Sequence, residues 1–189
     1  MATQLTTQRR VDAILRSVRT LHTLGPEGTN LESAAHEWFR RQQRPGAVRL
    51  YPTLESALPG LPSDGTHGVL ACAVYPRLHE LVFGNLERLR MIDSFIFPTH
   101  HMVLASRTGD RPALVACHPA PRQLAEGAAQ VLPATSNAQA AADCRAGAVD
   151  GCITTLPAAR AHGLRVVHDF GPVAMVYTVH QAWCGRVRS

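Results

Sequence analysis

Two short stretches place backbone amides and hydroxyl groups where they could hold an anion. They are Gly25-Pro26-Glu27-Gly28-Thr29 and Pro133-Ala134-Thr135-Ser136-Asn137, and each lies between an apolar run and a helical pattern. A strand that turns directly into a helix leaves free N–H groups at the helix N-terminus, which attract anions. With one junction in each half of the chain, the pattern predicts a ligand that carries two carboxylates. Ordinary N-capping requires the same residue types, so that interpretation stays open.

The candidate binding residues lie in or near these junctions. Glycines at positions 25 and 28 allow a close approach of backbone to ligand. The hydroxyl groups of Thr29, Thr135 and Ser136 add hydrogen-bond donors. The full set is Gly25, Glu27, Gly28, Thr29, Thr135, Ser136, Asn137 and Thr154.

Ten histidines raise the question of a metal site. Their spacing is never H-x-H or H-x-x-x-H, and the adjacent His100 and His101 would point to opposite faces of a strand. We therefore predict no metal. His118 differs from the others because it ends an apolar run, in "VACHPAP", where its side chain would emerge beside a ligand. A solvent-facing or structural histidine is the alternative.

The basic residues exclude several kinds of chemistry. All 19 of them are arginines. Without lysine the chain cannot form a Schiff base, anchor pyridoxal phosphate or build a P-loop. The arginines are dispersed without interleaved aromatic residues, so we expect no nucleic-acid partner. The G-x-S-x-G elbow of hydrolases and the glycine spacing of dinucleotide-binding proteins are also absent from the sequence.

The apolar and cysteine patterns favour the cytoplasm. No apolar run reaches the length of about 18 residues that spans a bilayer, and the N-terminus has no continuous apolar core typical of a secretory signal. The five scattered cysteines lack C-x-x-C spacing and predict thiols without a disulfide framework. We expect no membrane partner.

Strands alternate with helical patterns along most of the chain. An amphipathic helix is predicted over about residues 8–19, and helix one over about residues 30–41. "VLACAV", "HMVLASR", "ALVACH", "VDGCITT", "LRVVHDF" and "PVAMVYTV" are predicted strands. This order predicts an α/β protein with a mainly parallel sheet. It does not decide whether the first helix caps the fold or pairs with a second subunit, so a homodimer stays open.

The two junctions resemble a known family. "TLGPEGTNLESAA" is similar to the opening signature of the prephenate dehydratase catalytic domain, and "ATSNAQAAADCRAGAVDGCITTLPAARAHGL" to its second-lobe stretch. The resemblance covers about residues 21–180. It implies a type II periplasmic-binding-protein-like fold of two Rossmann-like α/β lobes with a substrate cleft between them. The implied division is a helical extension over 1–20, lobe 1 over 21–98 plus 168–189, and lobe 2 over 99–167, with no regulatory domain.

The sequence also departs from that family. The dehydratases carry Pro-Ile-Glu-Asn-Ser after the third strand, where this chain has "LACAVYPRL". They also carry Thr-Arg-Phe in the final strand, where this chain has "GPVAMVYTVH". The non-aromatizing prephenate decarboxylases of the bacilysin type keep the Gly-Pro-Glu-Gly-Thr turn and lack Thr-Arg-Phe. This chain resembles that branch, which serves antibiotic and other specialised biosynthesis.

The resemblance implies a carbon–carbon lyase that acts on prephenate without a cofactor. Loss of the acid that expels the ring hydroxyl would favour protonation of a ring carbon, giving a dihydro-hydroxyphenylpyruvate. The candidate proton donors are His118, His79, Tyr75 and Tyr177. Two alternatives stay open, a divergent dehydratase that makes phenylpyruvate and a non-catalytic protein that binds dicarboxylates.

Overall fold

The chain forms two α/β units, each built around a five-stranded sheet. The structure is a computed structural model that describes residues 2–184, and the side chains of residues 10–184. Within the described residues, unit 1 comprises residues 2–97 and 175–184, and unit 2 comprises residues 98–174. Residue 1 and residues 185–189 of the expected division lie outside the described residues.

The elements follow one another in the alternating order that the sequence predicts. The helices are α1 (Ala2–Ser17), α2 (Asn30–Arg41), α3 (Leu78–Phe83), α4 (Asn137–Ala146) and α5 (Leu156–Ala161). The strands are β1 (Thr20–Leu24), β2 (Ala47–Tyr51), β3 (Asp64–Cys72), β4 (Leu89–Pro98), β5 (Met102–Ser106), β6 (Leu114–Cys117), β7 (Gln130–Pro133), β8 (Gly151–Thr155), β9 (Arg165–Gly171) and β10 (Ala174–Trp183). Short 3₁₀ helices cover Glu55–Ala57 and Arg122–Ala125.

The two sheets have the same kind of strand order. The sheet of unit 1 runs β2-β1-β3-β10-β4, and that of unit 2 runs β7-β6-β8-β5-β9. In unit 1, β1 lies between β2 and β3 and runs parallel to both. In unit 2, β6 lies between β7 and β8 and runs parallel to both. This is the arrangement in which ligands bind beyond the carboxyl ends of the strands.

Both sheets are mixed rather than mainly parallel, which corrects the sequence-based expectation. β10 runs antiparallel to β3, and β5 runs antiparallel to both β8 and β9. Strand direction depends on pairing between distant parts of the chain, and the local alternation of strands and helices does not encode it.

The boundary between the units also differs from the expected one. The expected lobe 1 resumed at residue 168, whereas the structure keeps residues 168–174 in unit 2. The physical reason is that β9 pairs with β5 from Arg165 at its start to Gly171 at its end, so the chain leaves unit 2 only after this strand ends.

Apolar side chains cover both faces of the unit 1 sheet. Leu70 of β3 packs in the cluster that contains Trp38 of α2, while its neighbours Val69 and Ala71 pack with Leu54 on the opposite face. Alternate residues of a strand point to opposite faces, so an unbroken apolar run such as β3 is buried on both sides. This packing holds the sheet in place, and the Gly25–Thr29 turn of the candidate site lies at the carboxyl end of its strand β1.

The N-terminal helix packs on unit 1. Ser17 at its end donates a hydrogen bond to the Gly65 carbonyl at 2.9 Å, and Arg44 donates to the Leu15 carbonyl at 2.8 Å. These contacts place α1 as a cap on unit 1. Pairing with a second subunit stays a prediction.

In the part of the chain that the structure describes, no helix is long and apolar enough to cross a membrane. All five cysteines are free, and four of them are buried.

Candidate functional site

The Gly25–Thr29 turn of unit 1 connects the carboxyl end of β1 to α2. The Gly25 N–H donates to the Tyr51 carbonyl at 2.8 Å, which ties the turn to the end of β2. A Cβ atom at position 25 would lie 3.1 Å from Leu50 Cβ, so little room exists for a side chain. Gly28 has φ +78°, in the left-handed region that glycine adopts without strain, and the space beside it is open. The geometry therefore leaves Gly28 accessible, and the approach of a ligand to it stays a prediction.

A carboxylate of the chain itself already occupies this turn. The Gly28 N–H donates to Glu32 Oε2 at 2.6 Å. Thr29 Oγ1 accepts from the Glu32 N–H at 3.4 Å and donates to the Leu24 carbonyl at 3.1 Å. Thr29 and Glu32 thus form a variant of the capping box, in which the Glu32 carboxylate accepts from the N–H of the residue before the N-cap. The Thr-x-x-Glu spacing in the sequence was the signal for it. A ligand carboxylate would have to displace Glu32 from the Gly28 amide.

The second junction, before α4 of unit 2, carries no such internal anion. Ser136 caps α4 by accepting from the Gln139 N–H at 3.0 Å, and the first turn of α4 contains no acidic residue. The 10-residue helix ends at Gly147, which adopts the left-handed C-cap conformation. Because no carboxylate neutralises its N-terminus, α4 offers a better anion site than α2.

Asn137 adds an unsatisfied acceptor to the α4 junction. Its Oδ1 atom is buried and makes no hydrogen bond to any described residue. The fully buried Thr154 of β8 donates to the Asn137 carbonyl at 2.7 Å. Thr154 therefore positions the backbone of Asn137, and its predicted contact with a ligand stays a prediction. A buried carboxamide oxygen without a donor favours a ligand that supplies an N–H or O–H group.

His118 lies at the same edge of the unit 2 sheet. It follows β6, and the Ala134 N–H beyond β7 donates to the Cys117 carbonyl at 2.9 Å. His118 Nδ1 accepts from the Ala120 N–H at 3.2 Å, which leaves Nε2 to carry the proton of the neutral ring. Burial lowers the pKa of His118. The structure therefore brings His118, Asn137 and Thr154 to one edge, with His118 as a neutral imidazole.

Two other predicted proton donors lie apart from each other in unit 1. His79 is an exposed residue of α3, with Nε2 at 4.0 Å from Glu80 Oε1. Tyr177 of β10 is buried in the core, where its ring stacks on Phe95 at 5.7 Å, and burial raises its pKa. Neither position gives the residue a contact with the Gly25–Thr29 turn among the described hydrogen bonds. Their catalytic roles stay predictions.

Tyr75 takes part in a charged cluster that the sequence analysis did not identify. Its hydroxyl donates to Glu55 Oε2 at 2.6 Å, and Arg77 Nε lies 3.9 Å from Glu55 Oε1. Burial and the Glu55 carboxylate raise the pKa of Tyr75 to about 12. Burial raises the pKa of Glu55, but hydrogen bonds and Arg77 outweigh it and leave that pKa below its ordinary value.

This cluster lies near the ends of the strands that flank β1. Glu55 follows β2 and Tyr75 follows β3, while β1 lies between those two strands. Glu55 Oε1 is buried and has no hydrogen-bond partner among the described residues. No sequence motif connects two residues that are 20 positions apart in different loops, so only the strand order could have revealed the pair.

A second unpredicted network crosses the same three strands. His22 Nδ1 lies 2.8 Å from the Tyr51 hydroxyl, and His22 Nε2 lies 2.9 Å from His67 Nδ1. Burial lowers the pKa of His22 to about 4, with smaller contributions from His67 and Arg49. His22 is therefore neutral near pH 7 and joins β1, β2 and β3 through side chains.

The described residues do not form a recognisable metal centre. Within residues 2–184, no group of three or more histidine, cysteine, aspartate or glutamate side chains is arranged to hold a metal ion.

Comparison with solved structures identifies the fold. A prephenate dehydratase from Arthrobacter aurescens in complex with L-Phe aligns with a TM-score of 0.65 at 19% identity, over 86% of this chain and 60% of that chain. A prephenate dehydratase from Staphylococcus aureus aligns with a TM-score of 0.59 at 13% identity, over 85% and 65%. The periplasmic VFT2 domain of Bordetella pertussis BvgS aligns with a TM-score of 0.58 at 14% identity, over 92% and 85%.

These likenesses confirm the fold class. The chain has the two-unit α/β fold of type II periplasmic-binding proteins and of prephenate dehydratase catalytic domains. It spans less than two thirds of the length of either dehydratase chain. No family model matches the sequence. No curated protein matches it either.

Proposed function

We propose that this protein binds prephenate, or a closely related dicarboxylate derived from chorismate, and decarboxylates it without aromatizing the ring. The observation that carries the proposal is the N-terminus of α4. It lacks an internal carboxylate and has the buried, unpartnered Oδ1 atom of Asn137 beside it. The fold shared with prephenate dehydratases supports the same class of ligand.

The α4 junction offers partners for two kinds of ligand group, a carboxylate and a hydrogen-bond donor. The Ser136-capped helix N-terminus would attract a carboxylate, and Asn137 Oδ1 would accept a hydrogen bond from a hydroxyl group or water bound with it. Prephenate carries a ring carboxylate, a pyruvyl carboxylate and a ring hydroxyl, so it offers both kinds of group.

The proposed reaction breaks one carbon–carbon bond. The ring carboxylate leaves as carbon dioxide, and its bonding electron pair moves into the ring diene. A ring carbon then takes one proton from a weak acid or water, and the hydroxyl stays. The carbanion-like ring is a strong base, whereas expulsion of hydroxide requires assistance by a stronger acid, which is worth about 10²–10⁴-fold.

The protonation state of His118 supports this outcome. With its pKa lowered by burial, His118 is a neutral imidazole that donates hydrogen bonds but is a poor acid near pH 7. A neutral donor at this edge would bind the ligand without protonating the hydroxyl leaving group. Retention of the hydroxyl is the chemical difference between the proposed decarboxylase and a dehydratase.

Assay of the purified protein with prephenate tests the proposal. We expect release of carbon dioxide together with a product that keeps its hydroxyl and has no aromatic absorbance. Phenylpyruvate as the product would instead show dehydratase activity.

A second candidate function is binding of a dicarboxylate without turnover. The fold occurs in a periplasmic domain of BvgS as well as in dehydratases, so the fold alone does not imply turnover. Unchanged prephenate combined with binding measured by calorimetry would support this candidate and contradict the decarboxylase.

A further inference from the structure

Unit 2 contains an open cavity that is separate from the α4 junction. It has a volume of about 410 Å³ and lies on the sheet face opposite α4 and α5, beside β5, β9 and the 3₁₀ helix Arg122–Ala125. Its apolar wall consists of Leu104, Leu124, Val167 and Phe170. None of the candidate binding or proton-donating residues lines it.

Two β-bulges shape the wall of this cavity. The antiparallel register pairs Ala105 with Val166 and Leu104 with His168, which leaves Val167 without a partner. It then pairs Val103 with Asp169 and Met102 with Gly171, which leaves Phe170 without a partner. A bulge redirects side chains that regular alternation would place on opposite faces. Val167, His168 and Phe170 consequently all line the cavity.

Two opposite charges lie at the rim. Arg111 and Glu126 both line the cavity, and neither side chain forms an ion pair or hydrogen bond with another described residue. Gly127 has φ +88°, and a Cβ atom there would collide with Arg111 Nη2. The glycine that follows Glu126 therefore allows the Arg111 guanidinium to lie against the backbone of residue 127.

We propose that this cavity binds an apolar α-amino acid. Arg111 would bind the carboxylate through a charge-assisted hydrogen-bond pair, Glu126 would bind the ammonium group, and the side chain would pack on Leu104, Leu124 and Phe170. A simple carboxylate would leave Glu126 unused, and a simple amine would leave Arg111 unused. The zwitterion satisfies both charges, and this inference does not depend on the proposed function.

Titration of the full chain with single amino acids tests the inference. The probes are L-leucine, L-methionine and L-phenylalanine, with 4-methylpentanoate and 3-methylbutylamine as leucine analogues that lack the ammonium and the carboxylate. We expect at least one amino acid to bind, with amide NMR shifts confined to β5, β9, the loop 107–113 that contains Arg111, and residues 122–127. Both leucine analogues should bind at least about tenfold more weakly than leucine if leucine is that ligand.

Two variants and a matched control locate the binding site. Arg111→Gln and Glu126→Gln should each raise the dissociation constant about tenfold or more. Arg122→Gln, which removes an exposed arginine that does not line the cavity, should leave the constant unchanged. Absence of binding by all three amino acids at millimolar concentration would overturn the inference. Binding that is equal in Arg111→Gln and the control, or shifts outside these segments, would overturn it as well.

Discussion

Asn137 places an uncharged carboxamide at the start of α4, where a carboxylate would favour the helix but oppose an anionic ligand. Its Oδ1 atom lacks a partner in the described structure, and the first turn of α4 contains no acidic residue. An acidic residue in the first turn stabilises a helix through the helix dipole. The first turn of α5 also lacks one, so the buried Oδ1 atom of Asn137 is the feature that distinguishes the α4 junction from an ordinary helix start.

The substitution Asn137→Asp separates the effect of a first-turn carboxylate on helix stability from its effect on ligand binding. The new charge should stabilise the helix by about 0.3–1 kcal/mol through the helix dipole, while weakening prephenate binding about tenfold or more by repulsion. Chemical unfolding and calorimetric binding measure the two quantities. Gln130→Glu, which adds the same charge at the start of β7, should change neither by much. Equal binding of prephenate by Asn137→Asp and the control would show that the α4 junction only caps the helix and does not bind the ligand.

For the Gly25–Thr29 turn, the corresponding test removes a carboxylate, that of Glu32, instead of adding one. Its carboxylate accepts the Gly28 N–H at 2.6 Å, so it competes with any ligand anion for that amide. Glu32→Gln should lower the stability of unit 1 by about 0.5–1 kcal/mol through the weakened capping box. It should also tighten prephenate binding several-fold, since a repelling charge is removed.

Affinity measurements on Glu32→Gln need a control of equal charge change. Glu87→Gln serves, because Glu87 is exposed in the turn before β4 and remote in sequence from the capping box. If both variants bind prephenate equally, the Gly25–Thr29 turn acts as a helix cap alone, as its Thr-x-x-Glu spacing allows.

Secondary-structure elements with strong local signals were predicted well from the sequence. Helix α2 occupies residues 30–41 as predicted, since Thr29 supplies the cap and Ala35, Trp38 and Phe39 supply the buried face. The α4 and β8 elements also follow their local patterns. In these segments capping, periodicity and burial all favour the same structure.

Elements that depend on distant partners were predicted less well. Strand β4, which begins at Leu89, is not among the strands predicted from the sequence. Its edge position leaves apolar residues such as Met91 and Ile96 exposed, so the sequence lacks the pattern of a half-buried strand. The stretch "APRQLAEGAAQ" is rich in helix-favouring residues, but only the 3₁₀ helix Arg122–Ala125 forms there. Gly127, at φ +88°, follows closely and does not continue a helix.

The residues of the candidate site likewise divide into those with a local sequence signal and those that depend on distant parts of the chain. The junctions before α2 and α4 are local features and could be found from the sequence. The Glu55–Tyr75 pair and the Tyr51–His22–His67 network depend on which strands are neighbours, and no short motif encodes that order.

The histidine network predicts how the whole molecule responds to acid. The pKa of His22 is lowered from about 6.5 to about 4, so the folded chain takes up this proton less readily than the unfolded chain. Its contribution to stability is therefore complete above pH 6.5 and declines as the pH falls toward 4. The loss should reach about 3 kcal/mol, given 1.36 kcal/mol for each pKa unit.

Urea unfolding at a series of pH values between 7.5 and 4.5 measures this dependence. His22→Gln should show a flatter profile over that range, although it is less stable at pH 7.5. His36→Gln, which replaces an exposed histidine of α2, should keep the profile of the parent chain. Parallel profiles for the parent chain and His22→Gln would contradict the assignment of the acid response to His22.

If the protein decarboxylates prephenate as proposed, the substrate loses carbon dioxide and its ring gains a proton from solvent. The most direct measurement is proton NMR of the product formed in deuterated water. We expect one solvent deuteron on a ring carbon, a retained carbinol proton and no aromatic signals. Phenylpyruvate with an aromatic ring free of solvent deuterium would contradict it.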